Sequence, residues 1–346
     1  QTGIPDQRTQ PVKTRLTLIA AALGPAATPV LAEEINVYSH RQPELVQPLV
    51  DAFAAETGIM VNVAFVEKGM VERLQAEGDR SPADLILTVD IARLAQVVEA
   101  GVTQPVQSDT LEANIPAEFR DPGDQWFGLT ARARIVYASK SRVADGEVTT
   151  YEDLADPKWK GRICTRPGTH DYTLGLAAGM LAHHGPEFTK TWIEGVKANL
   201  AKKPEGNDRD QVKSIWAGEC DISLGNTYYM GQMLGDPEQT EWANSVRIVY
   251  PVFEGAGTHM NVSGVAMTKA APNKDAALRF MEWLSSDAAQ KVYAETNHEF
   301  PVKPGVERSA LVAGWGDFTP DSVNLAELAK LRPDALTLME EVNFDG

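Results

Sequence analysis

Residues 35–66 read INVYSHRQPELVQPLVDAFAAETGIMVNVAFV, and their order decides the fold class. Ile35-Asn36-Val37-Tyr38-Ser39 alternates like a half-buried strand and ends in the polar loop His40-Arg41-Gln42-Pro43. From 44 to 57 the apolar residues Leu45, Val46, Leu49, Val50 and Phe53 recur at helical spacing, and Gly58 supplies a stop. Residues 60–66 return as a second strand. Strand, helix, strand in that order predicts a mostly parallel sheet covered by helices, an α/β fold. Such sheets hold ligands beyond the carboxyl ends of their strands, where the loop with His40 and Arg41 falls.

The pattern continues outward from this unit. A helix near 71–76 precedes the apolar strand 85–89, and the alternation resumes at 162–165, followed by the loop 166–171 and a helix running through Leu181. Residues 186–200 and 211–216 read as helices, and 221–224 as a strand leading into Gly225-Asn226-Thr227-Tyr228-Tyr229. The apolar, extended stretches 128–136 and 246–253 are expected to cross between two lobes and form a hinge. The last part is helical, over 274–284, 287–295 and 323–341.

A chain of 346 residues is long for a single small core and suits two lobes. The formal net charge of −16 argues against a nucleic-acid partner, because no basic block is present to neutralise phosphates. Residues 12–32 have the anatomy of an export signal: Lys13 and Arg15, then an apolar run from Leu16 to Leu23, then Val30-Leu31-Ala32. That run is shorter than the roughly 20 residues that span a bilayer. Cleavage is expected after Ala32, with 1–11 an upstream extension. In an exported chain the even pair Cys164 and Cys220 reads as a disulfide, the other reading being two separate buried thiols. Neither a nucleophile elbow, an HExxH helix nor a phosphate loop occurs, so a binding protein is expected rather than an enzyme.

The adjacent Tyr228 and Tyr229 follow a strand end, in a chain with only eight tyrosines. Inside a strand their rings would face opposite ways; in a turn or at a helix start both can converge on one point. Taken alone, such a pair more often packs one ring in the core and lays the other on the surface. Tyr172 lies in a second post-strand loop, and a Cys164–Cys220 link would tether the strands leading into both loops. Three phenols would then meet at one cleft wall. Ionised phenol oxygen is a hard donor that suits hard cations, and three phenolates balance the charge of ferric iron.

At these residues the sequence resembles the periplasmic ferric-iron-binding proteins of ATP-driven (ABC) importers, the Fbp-type and cyanobacterial Fut-type members of the extracellular solute-binding family. The resemblance covers the chain from Val37-Tyr38-Ser39-His40-Arg41 to the C-terminal helices. It is most specific at Gly161-Arg162-Ile163-Cys164, 168–172, Lys197-Ala198-Asn199-Leu200, Gly206-Asn207-Asp208-Arg209 and 225–229. It implies a two-lobed periplasmic-binding-protein fold of type II, each lobe a mostly parallel sheet flanked by helices, joined by a hinge of two crossing strands. The implied division is an extension and signal peptide at 1–32, an N-lobe of 33–132 with 263–305, a C-lobe of 133–262, and a C-terminal helical segment at 306–346.

The resemblance further implies Fe(III) held by Tyr172, Tyr228 and Tyr229, and a carbonate-like anion held by Arg41 and Arg132. It implies a periplasmic monomer that serves an importer permease and its ATPase. Some family members carry a His-Tyr pair just after the first arginine, where this chain has Gln42-Pro43, so those two ligands are missing. His40 remains a candidate ligand, Arg134 competes with Arg132 for the anion, and Glu67 and Asp90 are weaker carboxylate candidates. Tyr38 is a candidate outer partner of the site, and Tyr137 reads as hinge or core packing. Neighbouring residues on a helix diverge, so His183-His184 reads as a helix end and not a chelate. The rival ligand is a small organic cation, such as a polyamine or thiamine, stacked on the same tyrosines.

Overall fold

The computed structural model describes residues 1–3 and 33–346, so the expected export signal and its cleavage site lie outside the described residues. The strands are β1 (Glu34–Ser39), β2 (Met60–Phe65), β3 (Leu85–Thr88), β4 (Thr103–Gln104), β5 (Phe127–Ser139), β6 (Ile163–Cys164), β7 (Ile222–Asn226), β8 (Val246–Val249), β9 (Met260–Thr268) and β10 (Phe300–Pro301). The first helix spans Pro43–Thr57 and buries Val46, Leu49, Val50 and Phe53; Gly58 closes it in the left-handed region at φ 73°. β1 runs parallel to β2 and to β3, as the opening unit requires.

The expectation of mostly parallel sheets holds at the two ends only. In the order β2-β1-β3-β9-β5-β7-β6, the parallel pairs are β2/β1, β1/β3 and β7/β6. The strands between them pair antiparallel: β3 with β9, and β5 with both β9 and β7. A strand that leaves one lobe for the other must come back, and the return leg naturally lies antiparallel to the first.

β5 is the outward leg. All thirteen of its residues are buried. Its first half pairs with β9, Phe127 opposite Val265 through Ala133 opposite Met260, and its second half pairs with β7 and β8. The crossing expected at 128–136 is therefore present. The one expected at 246–253 is corrected: Val246–Val249 stays beside the second half of β5, and the chain re-enters the first lobe at His259–Met260, where β9 begins. All nine residues of β9 are buried, the polar Asn261, Ser263 and Thr268 included, so neither face is solvated.

Residues 33–346 form one compact unit, because a continuous apolar cluster runs from Ile35 and Phe53 through Ala133, Ile135 and Tyr137 to Met230 and Met233. Cys164 and Cys220 form a disulfide with Cα atoms 5.9 Å apart, joining β6 to the turn before β7. No helix among the described residues is long and apolar enough to cross a membrane. The helix Leu325–Glu341 packs along the helix Asp171–Ala198 of the second lobe and also touches Ile91–Glu99 of the first. Leu325, Leu328 and Ala329 join the apolar cluster containing Ile91, whereas Ala335 and Met339 join that of Leu174 and Trp192, and Pro333 sits between the two groups.

His259, at the re-entry point, is 3% exposed, and its Nδ1 is buried without a partner. Desolvation first, then Arg134 and His183, push its imidazole down to about 3. An unfolded histidine titrates near 6.5, so on acidification the unfolded chain takes up this proton before the folded one. The stabilisation is fully present above about pH 6.5 and is lost as the pH falls toward the folded value, at about 1.4 kcal/mol per pH unit. Urea unfolding between pH 7.5 and 4.5 is expected to show this contribution added to those of His40 and His170, whose imidazoles are also pushed down, and His259→Gln is expected to reduce the total slope by about one proton; an unchanged slope would refute the assignment.

Candidate functional site

Each expected site loop leaves the carboxyl end of a parallel strand. β1 delivers His40 and Arg41, β6 leads to the helix that begins Asp171-Tyr172, and β7 ends in Asn226 before a helix that starts with Tyr228-Tyr229. Gly225 has no side chain because the Tyr137 ring occupies that space, 2.2 Å from where a Cβ would be. That ring is in turn fixed by its hydroxyl, which donates to the carbonyl of Asn226 at 2.7 Å. Tyr137 is thus core, as its position suggested, and it braces the turn that aims the twin tyrosines.

The helix start answers the question posed by the Tyr-Tyr pair. Both rings face the same way, with centroids 4.2 Å apart, and the Tyr228 and Tyr172 hydroxyls lie 3.2 Å from each other. His40, Arg41, Arg132, Tyr172, Tyr228 and Tyr229 all line one cleft of about 320 Å³. This volume sits at the small end of ligand pockets, enough for an ion with a small companion. Burial, then the neighbouring phenols Tyr172 and Tyr229, push the Tyr228 hydroxyl well above its usual range, with Arg132 opposing. Burial also raises Tyr229. Without a cation to displace their protons, these two are neutral phenols.

Behind the phenols lies a buried charge triad that the sequence reading did not anticipate. The Asp208 carboxylate accepts from Arg134 at 2.7 Å, from Arg166 at 3.0 Å and from the backbone N–H of Asn226 at 2.9 Å. The Arg134 and Arg166 guanidinium carbons lie 5.8 and 5.0 Å from the Tyr172 ring centre, and that of Arg209 lies 5.9 Å from the Tyr229 ring. The two arginines that share β5 therefore have different surroundings. Arg134 supports Tyr172 from behind, and Arg132 faces the cleft.

On the opposite wall Arg41 pairs with Glu299 at 2.8 Å, and the Ser263 hydroxyl accepts from Arg41 and from Arg132, the latter at 2.9 Å. Arg132 Nε is buried with no partner. His40 also lines the cleft, with Nδ1 buried and unpartnered, and desolvation, then Arg93, push its imidazole down to about 4.

The remaining candidates separate cleanly. Glu67 lines the cleft rim. Asp90 is used as the cap of the helix Ile91–Glu99, accepting from the Arg93 N–H. Tyr38 turns away from the cleft, its hydroxyl donating to Glu77 and its ring covered by Arg73. His183 and His184 pair separately with Asp321 and Glu152, just before the break at Gly185. Among the described residues no trio of His, Cys, Asp and Glu could hold a metal, so a metal in this cleft would depend on phenol oxygen. Glu299 and Ser263 were missed because they reach the site from more than 200 residues beyond Arg41, with no local pattern to mark them.

Residues 39–291 match the family model for bacterial extracellular solute-binding protein. Iron uptake protein A1 of Synechocystis sp. (strain ATCC 27184 / PCC 6803 / Kazusa) is 43% identical over 322 residues, covering 92% of this chain and 89% of that protein. The crystal structure of Mannheimia haemolytica ferric iron-binding protein A in an open conformation is 51% identical, with a TM-score of 0.88, covering 91% of this chain and all of that one (100%). The Trichodesmium protein IdiA (FutA), solved in complex with iron and citrate ligands, is 41% identical with a TM-score of 0.87, covering 90% and 99%. The likeness bears out the two-lobed, type II periplasmic-binding fold.

Proposed function

The chain belongs to the bacterial extracellular solute-binding protein family, and on that premise we propose that it captures ferric iron in the cleft between its lobes. Tyr172, Tyr228 and Tyr229 bind the ion from the second lobe, and Arg41 and Arg132 hold a small oxyanion from the first. His40 stands beside them as a neutral imidazole. Iron then engages both walls only when the lobes approach, so loading favours the closed form. The loaded monomer acts in the periplasm, after removal of residues up to Ala32, and delivers iron to the permease and ATPase of an ABC importer. No bond-making chemistry is assigned to it.

The observation that carries this reading is the gathering of three phenol oxygens in one cleft with arginines opposite. Arg41, Arg93, Arg132 and Arg209 line the cleft against Glu67 and Glu299. That balance disfavours an organic cation, which would be held by carboxylates and aromatic faces instead. A cation that converts phenols to phenolates fits, because the phenolates then face the guanidinium groups.

Purified protein given ferric citrate is expected to turn orange-red through phenolate-to-iron charge transfer, with one iron per chain by elemental analysis. A colourless protein with no bound iron would overturn the reading.

A further inference from the structure

The anion subsite contains a third charged group. Arg41 Nη2 donates to both Glu299 oxygens, at 3.0 and 2.8 Å, and the Thr130 hydroxyl donates to Glu299 at 2.9 Å. Arg132 Nη1 lies 4.0 Å from the same carboxylate. All four side chains are buried, Arg132 at 1% and Glu299 at 3% exposure, so solvent does not dilute their charges. Of the other charged groups lining the cleft, Arg93 is held by Asp90 and Asp171, while Arg209, against the Tyr229 ring on the far wall, and Glu67 carry opposite charges.

We propose that Glu299 sets the charge of the anion this cleft accepts: by cancelling one of the two guanidinium charges it selects a singly charged oxyanion over a doubly charged one. The proposal rests on the anion part of the reading above. Two guanidiniums and one carboxylate leave one net positive charge. Three phenolates on a ferric ion are neutral together, so at the wall formed by Arg41, Arg132 and Glu299 a monoanion completes the local balance. A dianion would bring an uncompensated negative charge into a buried site, where such charges are costly. Glu299 also holds Arg41 in place through two hydrogen bonds, leaving the rest of that guanidinium, with Arg132 beside it on the cleft wall, to meet the anion.

The test uses the iron-free, full-length mature protein and isothermal titration with hydrogencarbonate and, separately, sulfate. Wild type is expected to favour hydrogencarbonate, and Glu299→Gln, which preserves shape, is expected to move the affinity ratio toward sulfate by about tenfold or more. The paired change Arg41→Gln with Glu299→Gln restores the net charge and is expected to bring the ratio back, although both affinities fall. Should Glu299→Gln not fold, Ser263→Asp adds a carboxylate at the same guanidiniums and is expected to move the ratio about tenfold the other way. A ratio unmoved by the substitution that folds overturns the proposal. Ferric loading is scored separately by colour: a protein that shows the anion selectivity but stays colourless would refute the iron reading and leave the role of Glu299 standing.

Discussion

Replacing Tyr228 with Phe is expected to reduce and shift the visible charge-transfer absorbance and to weaken ferric binding by at least about a hundredfold. Residues that merely orient a metal ligand are worth about 10–100-fold, so a residue that donates directly should cost no less. Tyr228 is the most demanding position because its hydroxyl touches that of Tyr172 and its ring lies on Tyr229. The substitution removes one oxygen and leaves the ring, so packing is preserved and stability should change little. Competition against citrate, followed by absorbance, gives the affinity. Retention of the band with affinity within twofold of wild type would show that the phenol is packing alone. Since burial keeps the Tyr228 proton in place until a cation displaces it, loading must also release it, and affinity should fall as the pH is lowered.

Asp208→Ala is expected to destabilise the protein by about 3–5 kcal/mol, because removing one partner of a buried ion pair strands the other. Here two are stranded. Arg134 is 2% exposed and Arg166 8%, both rely on this carboxylate, and Arg134 already carries two unpartnered nitrogens. The backbone N–H of Asn226 also loses its acceptor, which loosens the turn bearing Tyr228. Chemical unfolding measures the loss directly; a change below about 1 kcal/mol would mean that water replaces the carboxylate. Iron affinity should fall with it, by less than in Tyr228→Phe, since the phenols themselves remain.

Much of this was legible in the sequence where physics acts locally. The β1-helix-β2 unit declared itself through the period of Leu45, Val46, Leu49, Val50 and Phe53, and the structure buries four of them fully. The site loops were placed because parallel strands point their carboxyl ends one way. The convergence of Tyr228 and Tyr229 was visible as a possibility and was decided by helix geometry at Thr227. What escaped was long-range. β9 is buried on both faces, its Asn261 and Ser263 included, so exposure does not mark it as a strand in the sequence, and the return crossing was assigned to β8 instead. Glu299, Ser263 and Asp208 matter through partners far away in the chain, and a carboxylate's neighbour cannot be read from its own surroundings.

The helix Leu325–Glu341 ties the two halves together outside the crossing strands. Proline at 333 has no amide hydrogen, so the carbonyl of Ala329 lacks its usual helical partner at the point where the helix passes from one apolar cluster to the other. Bending stiffness is lowest there. Clamped on both halves like a leaf spring, the helix is expected to flex near Pro333 whenever one half rotates against the other.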